Sequence, residues 1–280
     1  MNPRLFLLLS LLAMAPGHAR AVAVIVNGSS SYNTSAPTVD DIPDWNTGWA
    51  ESGDTGWDYV GVVNGASGVY LGNDWVITAA HVSAGTFVLD GTDYDVVPGS
   101  AQGIVTFSGT ADLTLFQLTE APPLPSLTLA ATTGTGSLVA MIGYGGGNGE
   151  TWGLDSVSAV NVPVQVTGYS YNSRDFETVY GAVSASGTND AALVGGDSGG
   201  GDFIYDSAAG EWTLAGINEA IDGNNDSYMV QLSHYASKID GITGVQAVPE
   251  PGGFLLDGMA LTALLGFCRN RRRSSRRFRA

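Results

Sequence analysis

An antiparallel all-β fold is predicted by three observations along the 280-residue chain. Short β-branched and aromatic runs recur at a dozen places, turn residues stand between them, and a single stretch carries a helical period. No strand–helix–strand alternation exists to build a parallel sheet, so a sandwich or a pair of barrels is the expected architecture.

In chain order the runs lie at 59–63, 68–71, 75–78, 86–89, 94–97, 103–107, 113–118, 137–142, 159–167, 191–194, 212–217 and 228–232. Gly, Asn, Asp and Pro between them supply the backbone angles that turns need. Ser233 to Gly241 is the helical stretch: Leu232, Tyr235 and Ile239 fall on one side, and Ser233 stands where an N-cap belongs. Ahead of the first strand, residues 27–56 are rich in Ser, Asn, Thr, Asp and Gly, with Pro37 and Pro43 and no sustained period. Residues 22–56 are therefore read as an irregular N-terminal extension, and 57–247 as the folded domain. The glycine-rich loop Gly143 to Gly149 lacks the spacing of a phosphate loop, and no helix is signalled after it.

Both ends read as targeting segments. In residues 1–21, Arg4 supplies a positive start, Leu5 to Ala15 a short apolar run and Ala19-Arg20-Ala21 a small-x-small cleavage site, the pattern of a signal peptide. Eleven apolar residues are too few to span a bilayer. At the other end, Val248-Pro249-Glu250-Pro251 is followed by an apolar run from Gly253 to Cys268 and then seven arginines between Arg269 and Arg279. Prolines break regular structure, an apolar run enters a bilayer as a transmembrane helix, and clustered arginines hold their end on the cytoplasmic side. This 248–280 tail resembles the PEP-CTERM sorting signals of Gram-negative bacteria, apart from Asp257 within its apolar run. That resemblance implies signal peptidase and an exosortase-like enzyme as processing partners, transient membrane association through the tail, and a secreted or cell-surface product. A retained anchor and a basic nucleic-acid-binding tail are the alternatives.

Nine of the eleven basic residues lie in these two ends; between them only Arg174 and Lys238 face 25 acids, a formal charge of −23. Such a surface repels nucleic acid and anionic lipid. The single cysteine, Cys268, lies in the tail, so no disulfide is expected, and a core of this size does without one. Asp222-Gly223-Asn224-Asn225-Asp226 spaces oxygens as calcium loops do, but Ser233 stands at the distal ligating position, and a polar turn is the reading adopted. No metal or other cofactor is expected.

Hydrolysis through a serine needs an imidazole to take the hydroxyl proton and an acid to fix the imidazole's tautomer. His81 follows Trp75-Val76-Ile77-Thr78-Ala79-Ala80, a buried-looking strand running into small residues that leave the ring room. Asp112 opens the alternating strand Asp112 to Leu118. Ser198 lies in Gly195-Gly196-Asp197-Ser198-Gly199-Gly200, where glycines permit unusual backbone angles and close approach of a substrate. The remaining histidine of the folded region, His234, is assigned a surface position at the start of the helix.

Thr78-Ala79-Ala80-His81, the Asp112 strand and Gly196-Asp197-Ser198-Gly199-Gly200, in that order, resemble the three signatures of the trypsin-like serine peptidases. The resemblance runs from about Tyr59 to Ile239, because Met229 to Ser233 with Tyr235 and Ile239 resembles the family's closing strand and helix. It implies two six-stranded antiparallel β-barrels of the chymotrypsin type with a short C-terminal helix, a cleft between them, and an endopeptidase acting on protein or peptide substrates. His81 becomes the general base, Asp112 the orienting carboxylate and Ser198 the nucleophile, with an oxyanion hole from the N–H groups of Gly196 and Ser198. Ala192, six places before Ser198, falls at the base of the substrate pocket, with a wall expected from Gly216, Ile217, Asn218, Glu219 and Ala220 and a narrowing at Ser227. An uncharged base disfavours Arg and Lys and implies small or apolar residues before the cut bond.

Ile25-Val26-Asn27-Gly28 resembles the family's activating N-terminus, yet no basic residue precedes Ile25, so Asp197 is left to other groups within the barrel. The rival functions are a catalytically silent surface protein for adhesion or matrix binding, and an esterase with the same triad.

Overall fold

The computed structural model describes residues 32–50, 53–107, 109–181 and 189–247. The expected leader, the Ile25–Gly28 segment and the tail from 248 lie outside these residues. Among the described residues no helix is long and apolar enough to cross a membrane.

Thirteen strands and two short helices are present among the described residues. A single helical turn, α1 (Gly56–Tyr59), leads into β1 (Val60–Val63), β2 (Ala66–Gly72), β3 (Trp75–Thr78), β4 (Phe87–Leu89), β5 (Thr92–Tyr94), β6 (Gln102–Thr106) and β7 (Gly109–Gln117). These seven strands form one antiparallel sheet in the order β5-β4-β1-β2-β3-β7-β6. β5 is only three residues long and Pro98 follows shortly after, so no full ladder closes the sheet. Single bonds close it instead: Val96 bridges Leu118, Val97 N–H donates to Gln117 C=O at 2.8 Å, and Thr119 N–H donates to Asp95 C=O at 2.8 Å. The first half is thus a seven-stranded sheet laced into a ring, with β6 as an additional hairpin partner of β7, where six strands were expected.

The second half contains β8 (Leu138–Gly143), β9 (Thr151–Val164), β10 (Ser173–Val179), β11 (Gly201–Asp206), β12 (Glu211–Ile221) and β13 (Asp226–Gln231). They close completely as β10-β13-β12-β11-β8-β9, which removes every exposed sheet edge. A 3₁₀ turn, Leu232–His234, and α2 (Ala236–Thr243) end the domain, the helix stopping at Gly244 in the left-handed region, φ 72°. Mostly β secondary structure, with a closed six-stranded barrel, is the fold class the sequence predicts.

Two strands escaped the sequence reading and one expected strand is absent. β10 and β11 carry Asp175 and Asp202 at fully buried positions, where the pattern of apolar residues gives no strand signal. The expected strand at 191–194 is a loop: Ala191 N–H reaches Leu154 C=O, but Leu193 N–H donates to the Ser227 hydroxyl and Val194 N–H to the Asp197 carboxylate. Its apolar residues are buried as pocket lining and core, without a ladder.

Residues 32–50 of the N-terminal extension contribute to the core. Ile42 and Trp45 are fully buried. The Trp45 ring meets Trp212 edge-on at 4.9 Å and Trp49 at 5.0 Å, and Trp49 stacks on Trp212 at 5.8 Å. The backbone is tied down as well, with Trp212 Nε1–H donating to Asp44 C=O at 3.0 Å and Trp212 N–H to Gly48 C=O at 2.9 Å. Truncating a buried tryptophan removes its transfer free energy and leaves a cavity. Trp45→Ala is expected to lower stability by about 3–5 kcal/mol, measured by urea unfolding; a loss under about 1 kcal/mol would show the extension to be a loose appendage.

Candidate active site

Strand β3 delivers His81. Its last residue, Thr78, donates its hydroxyl to Ser67 C=O on β2 at 2.7 Å, and Ala79 is fully buried, so the chain leaves the sheet along a fixed path. The turn after it is closed by Val82 N–H to Ala79 C=O at 3.0 Å. His81 is then gripped twice by one residue: its backbone N–H donates to Asp112 Oδ1 at 2.8 Å, and its ring Nδ1 lies 2.6 Å from Asp112 Oδ2. A carboxylate only accepts, so Nδ1 carries the proton and Nε2 is left with a free lone pair. The ring is 15 % exposed and the carboxylate not at all.

Asp112 lies within β7 and packs against the second barrel. Its backbone N–H donates to Ser173 Oγ on β10 at 3.0 Å, and the Ser173 hydroxyl donates to Glu219 Oε1 on β12 at 2.8 Å. Nearby, Asn172 N–H donates to Thr110 C=O at 2.9 Å. These bonds tie the acid to the second barrel.

The Ser198 loop is clamped from three sides. Ser67 N–H donates to Ser198 C=O at 2.9 Å, which places the serine against β2. Gly199 N–H donates to Asn218 C=O at 2.9 Å and Asn218 N–H to Gly200 C=O at 3.0 Å, which fixes the loop on β12. The buried Asp197 carboxylate accepts Gly145 N–H at 2.7 Å and Val194 N–H at 2.9 Å, so it is satisfied by backbone groups of the barrel. Two glycines are obligatory. Gly196 has φ 104°, and at Gly199, φ 86°, a Cβ would stand 2.1 Å from Ser67 C=O and 2.2 Å from the Thr78 hydroxyl. Among the described residues the N–H groups of Gly196 and Ser198 have no hydrogen-bond partner, and Ser198 is partly exposed.

The expected pocket residues divide. Ala192 is buried, and its neighbour Leu193 is held by the Ser227 hydroxyl at 2.9 Å, so these two positions adjoin. The expected wall residues Gly216, Ile217, Asn218 and Glu219 are all buried. Gly216 lies against the Phe176 ring, Ile217 is in the hydrophobic core, the Asn218 amide donates to Ile142 C=O at 3.2 Å, and Glu219 is buried on Ser173. Ala220, beyond the bulge, is partly buried. Asp222 uses its carboxylate within its own turn, accepting Asn224 N–H at 2.8 Å and Asp226 N–H at 3.1 Å. His234 is exposed and bonded to Asn161.

Ser67, Ser173 and Tyr169 were not singled out from the sequence. Tyr169 sits with its ring centroid 5.5 Å from His81 and stacks on Tyr171 at 5.9 Å. The repeat Tyr169-Ser170-Tyr171 is a visible signal for it; the two serines carry none.

Several carboxyls are buried without a cation. Burial pushes Asp197 and Asp155 up to about 7 and Glu150 up to about 9, with hydrogen bonds offsetting only part of the cost. Asp202 is raised well above its ordinary value, first by burial and then by Asp197 and Asp175. In the unfolded chain these groups titrate near 4. From there to about pH 9 the folded protein holds more protons than the unfolded one, so its stability is greatest at the acid end and is lost as pH rises. The urea midpoint is accordingly expected to fall steadily between about pH 5 and about pH 9. A midpoint that rises over this span would contradict the burial of neutral carboxyls.

Residues 66–213, which include His81, Asp112 and Ser198, match the sequence model of the family described as "Trypsin-like peptidase domain". No curated protein matches the chain. Among solved structures, the active form of the Rv3671c protease from M. tuberculosis is 22 % identical, with TM-score 0.47 over 66 % of this chain and 76 % of that one. The HtrA-type protease AlgW with a decapeptide is 24 % identical, with TM-score 0.46 over 63 % and 51 %. The NS6 protease from murine norovirus 1 is 14 % identical, with TM-score 0.45 over 62 % and 90 %.

Proposed function

The chain belongs to the trypsin-like peptidase family, and from that premise we propose that it is a serine endopeptidase working through Ser198, His81 and Asp112. The observation that carries the reading is the pair of hydrogen bonds from His81 to a fully buried Asp112, which leaves Nε2 as the free basic atom of the ring.

Nε2 takes the Ser198 hydroxyl proton as Oγ attacks the carbonyl carbon of the cut bond. The imidazolium that forms is stabilised by Asp112, already bonded to Nδ1, so no group has to reorganise. The carbonyl oxygen becomes an oxyanion, and the free N–H groups of Gly196 and Ser198 are the donors for it, each worth roughly 3–4 kcal/mol of barrier. Collapse expels the amine, which takes the proton from Nε2. A water then enters and the same base and donors hydrolyse the acyl-enzyme.

The experiment is reaction of the folded domain with a fluorophosphonate probe, followed by assay on casein. Ser198→Ala and His81→Ala are each expected to lower kcat by about 10⁴–10⁶. Wild-type turnover equal to that of Ser198→Ala would defeat the peptidase reading, and probe labelling with ester but no casein hydrolysis would favour an esterase.

Specificity is proposed from Ala192 and Ser227. With an alanine at the base and the Ser227 hydroxyl occupied by Leu193 N–H, a cationic side chain entering the pocket loses hydration without gaining an ion pair. A peptide library should show cleavage after small or medium apolar residues. Strong preference for Arg or Lys would overturn the assignment and point to Asp226 as the pocket acid.

A further inference from the structure

Beneath the His81–Asp112 pair lies a second carboxyl pair with no counterion. Glu219 and Asp175 are 3 % and 0 % exposed, and they lie close enough that the charge of Asp175 raises the pKa of Glu219. Neither Asp175 oxygen nor Glu219 Oε2 has a hydrogen-bond partner among the described residues. Two adjoining carboxyls buried without a cation do not both ionise, so at least one of them keeps its proton. The other groups facing it are Asp112 from β7, Ser173 from β10, Asp202 from β11 beyond Asp175, and the Tyr235 hydroxyl, which accepts Arg174 N–H at 2.8 Å. The Arg174 guanidinium itself reaches Asn161 C=O and leaves the pair uncompensated.

The backbone makes this placement deliberate. In the β12–β13 ladder, Asn218 pairs with Met229 and Ala220 with Tyr228, so Glu219 is the extra residue of a bulge. Bulges re-aim a side chain and recur beside active sites. The preceding residue, Asn218, braces the Ser198 loop through its backbone, so one short stretch of β12 touches both the acid and the nucleophile.

We propose that Glu219 is a positioning residue: un-ionised, it turns one oxygen and its proton toward Asp175 and receives the Ser173 hydroxyl on the other, which fixes Ser173 beneath Asp112. The Ser173 hydroxyl has one proton. While Glu219 takes it, the oxygen is free to accept Asp112 N–H. Without Glu219 that proton loses its acceptor, and the Ser173 oxygen is no longer held in the orientation that accepts Asp112 N–H. Loss of the proton that Glu219 keeps places another anion under Asp112 and perturbs the same contact.

The inference rests on the peptidase reading, and its test separates the two. Glu219→Gln preserves both contacts, since an amide oxygen accepts from Ser173 and an amide N–H faces Asp175, but it carries no titrating proton. It is expected to keep wild-type kcat/KM near neutral pH within about threefold and to hold its activity further into the alkaline range. Glu219→Ala is expected to lose roughly 10- to 100-fold in kcat with KM little changed. Two readouts need no substrate: the infrared band of a protonated carboxyl, present in the wild type and diminished in Glu219→Gln, and the downfield proton resonance of His81 Nδ1–H, kept in Glu219→Gln and lost or shifted in Glu219→Ala. Should Glu219→Ala not fold, Ser173→Ala replaces it, with the same loss expected. Equal damage in Glu219→Gln and Glu219→Ala, or an unshifted Nδ1–H resonance in both Glu219→Ala and Ser173→Ala, would overturn the proposal. An inactive wild type that still shows the predicted resonance changes would sink the peptidase reading and leave the positioning role standing.

Discussion

Taking an ionised carboxylate wholly out of water costs several kcal/mol unless hydrogen bonds and an opposing charge replace its hydration. Asp112, fully buried where the two halves of the domain meet, needs such partners. Both of its oxygens are met by His81, one by the backbone N–H and one by the ring, so satisfying the acid and orienting the base are the same event. Its backbone N–H is met by Ser173 from the other half of the domain. The first sheet supplies the base and the acid, the second barrel supplies the support, and the Ser198 loop crosses back to β2 through Ser67. A site of this kind exists only when both halves are folded and docked.

Acidic residues are handled in two ways. On the surface, the excess of acids over bases repels other polyanions and favours a dispersed state. Inside the second barrel the same residue type is pushed toward its neutral form: Asp202, Asp175 and Glu219 are buried, and burial raises the pKa of each. With only Arg174 and Lys238 available between the two ends, ion pairing was never open to them. Protonation is the remaining way to bury a carboxyl, and it couples stability to pH.

The chemistry-bearing residues were legible because each sits in a local signature whose small neighbours have a steric purpose. Ala79 and Ala80 clear space for the His81 ring, and Gly196 and Gly199 adopt backbone angles that other residues resist. Ser67, Ser173 and the Glu219–Asp175 pair were not legible, because their roles arise from strands more than 40 residues apart meeting in the cleft. β10 and β11 were missed for a related reason: Asp175 and Asp202 occupy interior positions where the alternation rule looks for an apolar residue. The bulge at Glu219 was not legible either, because a two-against-one pairing of strands leaves no mark on the residue pattern.

Buried polar groups are weak evidence for stability, and an apolar barrel core would be easier to fold. Their distribution is therefore informative. Asp197 holds the loop before the nucleophile, Glu219 underlies the acid, and Asp175 completes the pair; none of the three lies at the periphery. Electrostatic stabilisation of a transition state works best when the donors and dipoles are fixed before the reaction, so that their reorganisation cost falls on folding. The Gly196 and Ser198 N–H groups meet that condition: the loop carrying them is anchored by Ser67, Asn218 and Asp197, and the donors themselves are left free. Asp197, Glu219 and Asp175 thus place buried polarity where rigidity serves the chemistry, and the closed barrel and the tryptophan cluster around Trp45 supply the stability that tolerates it.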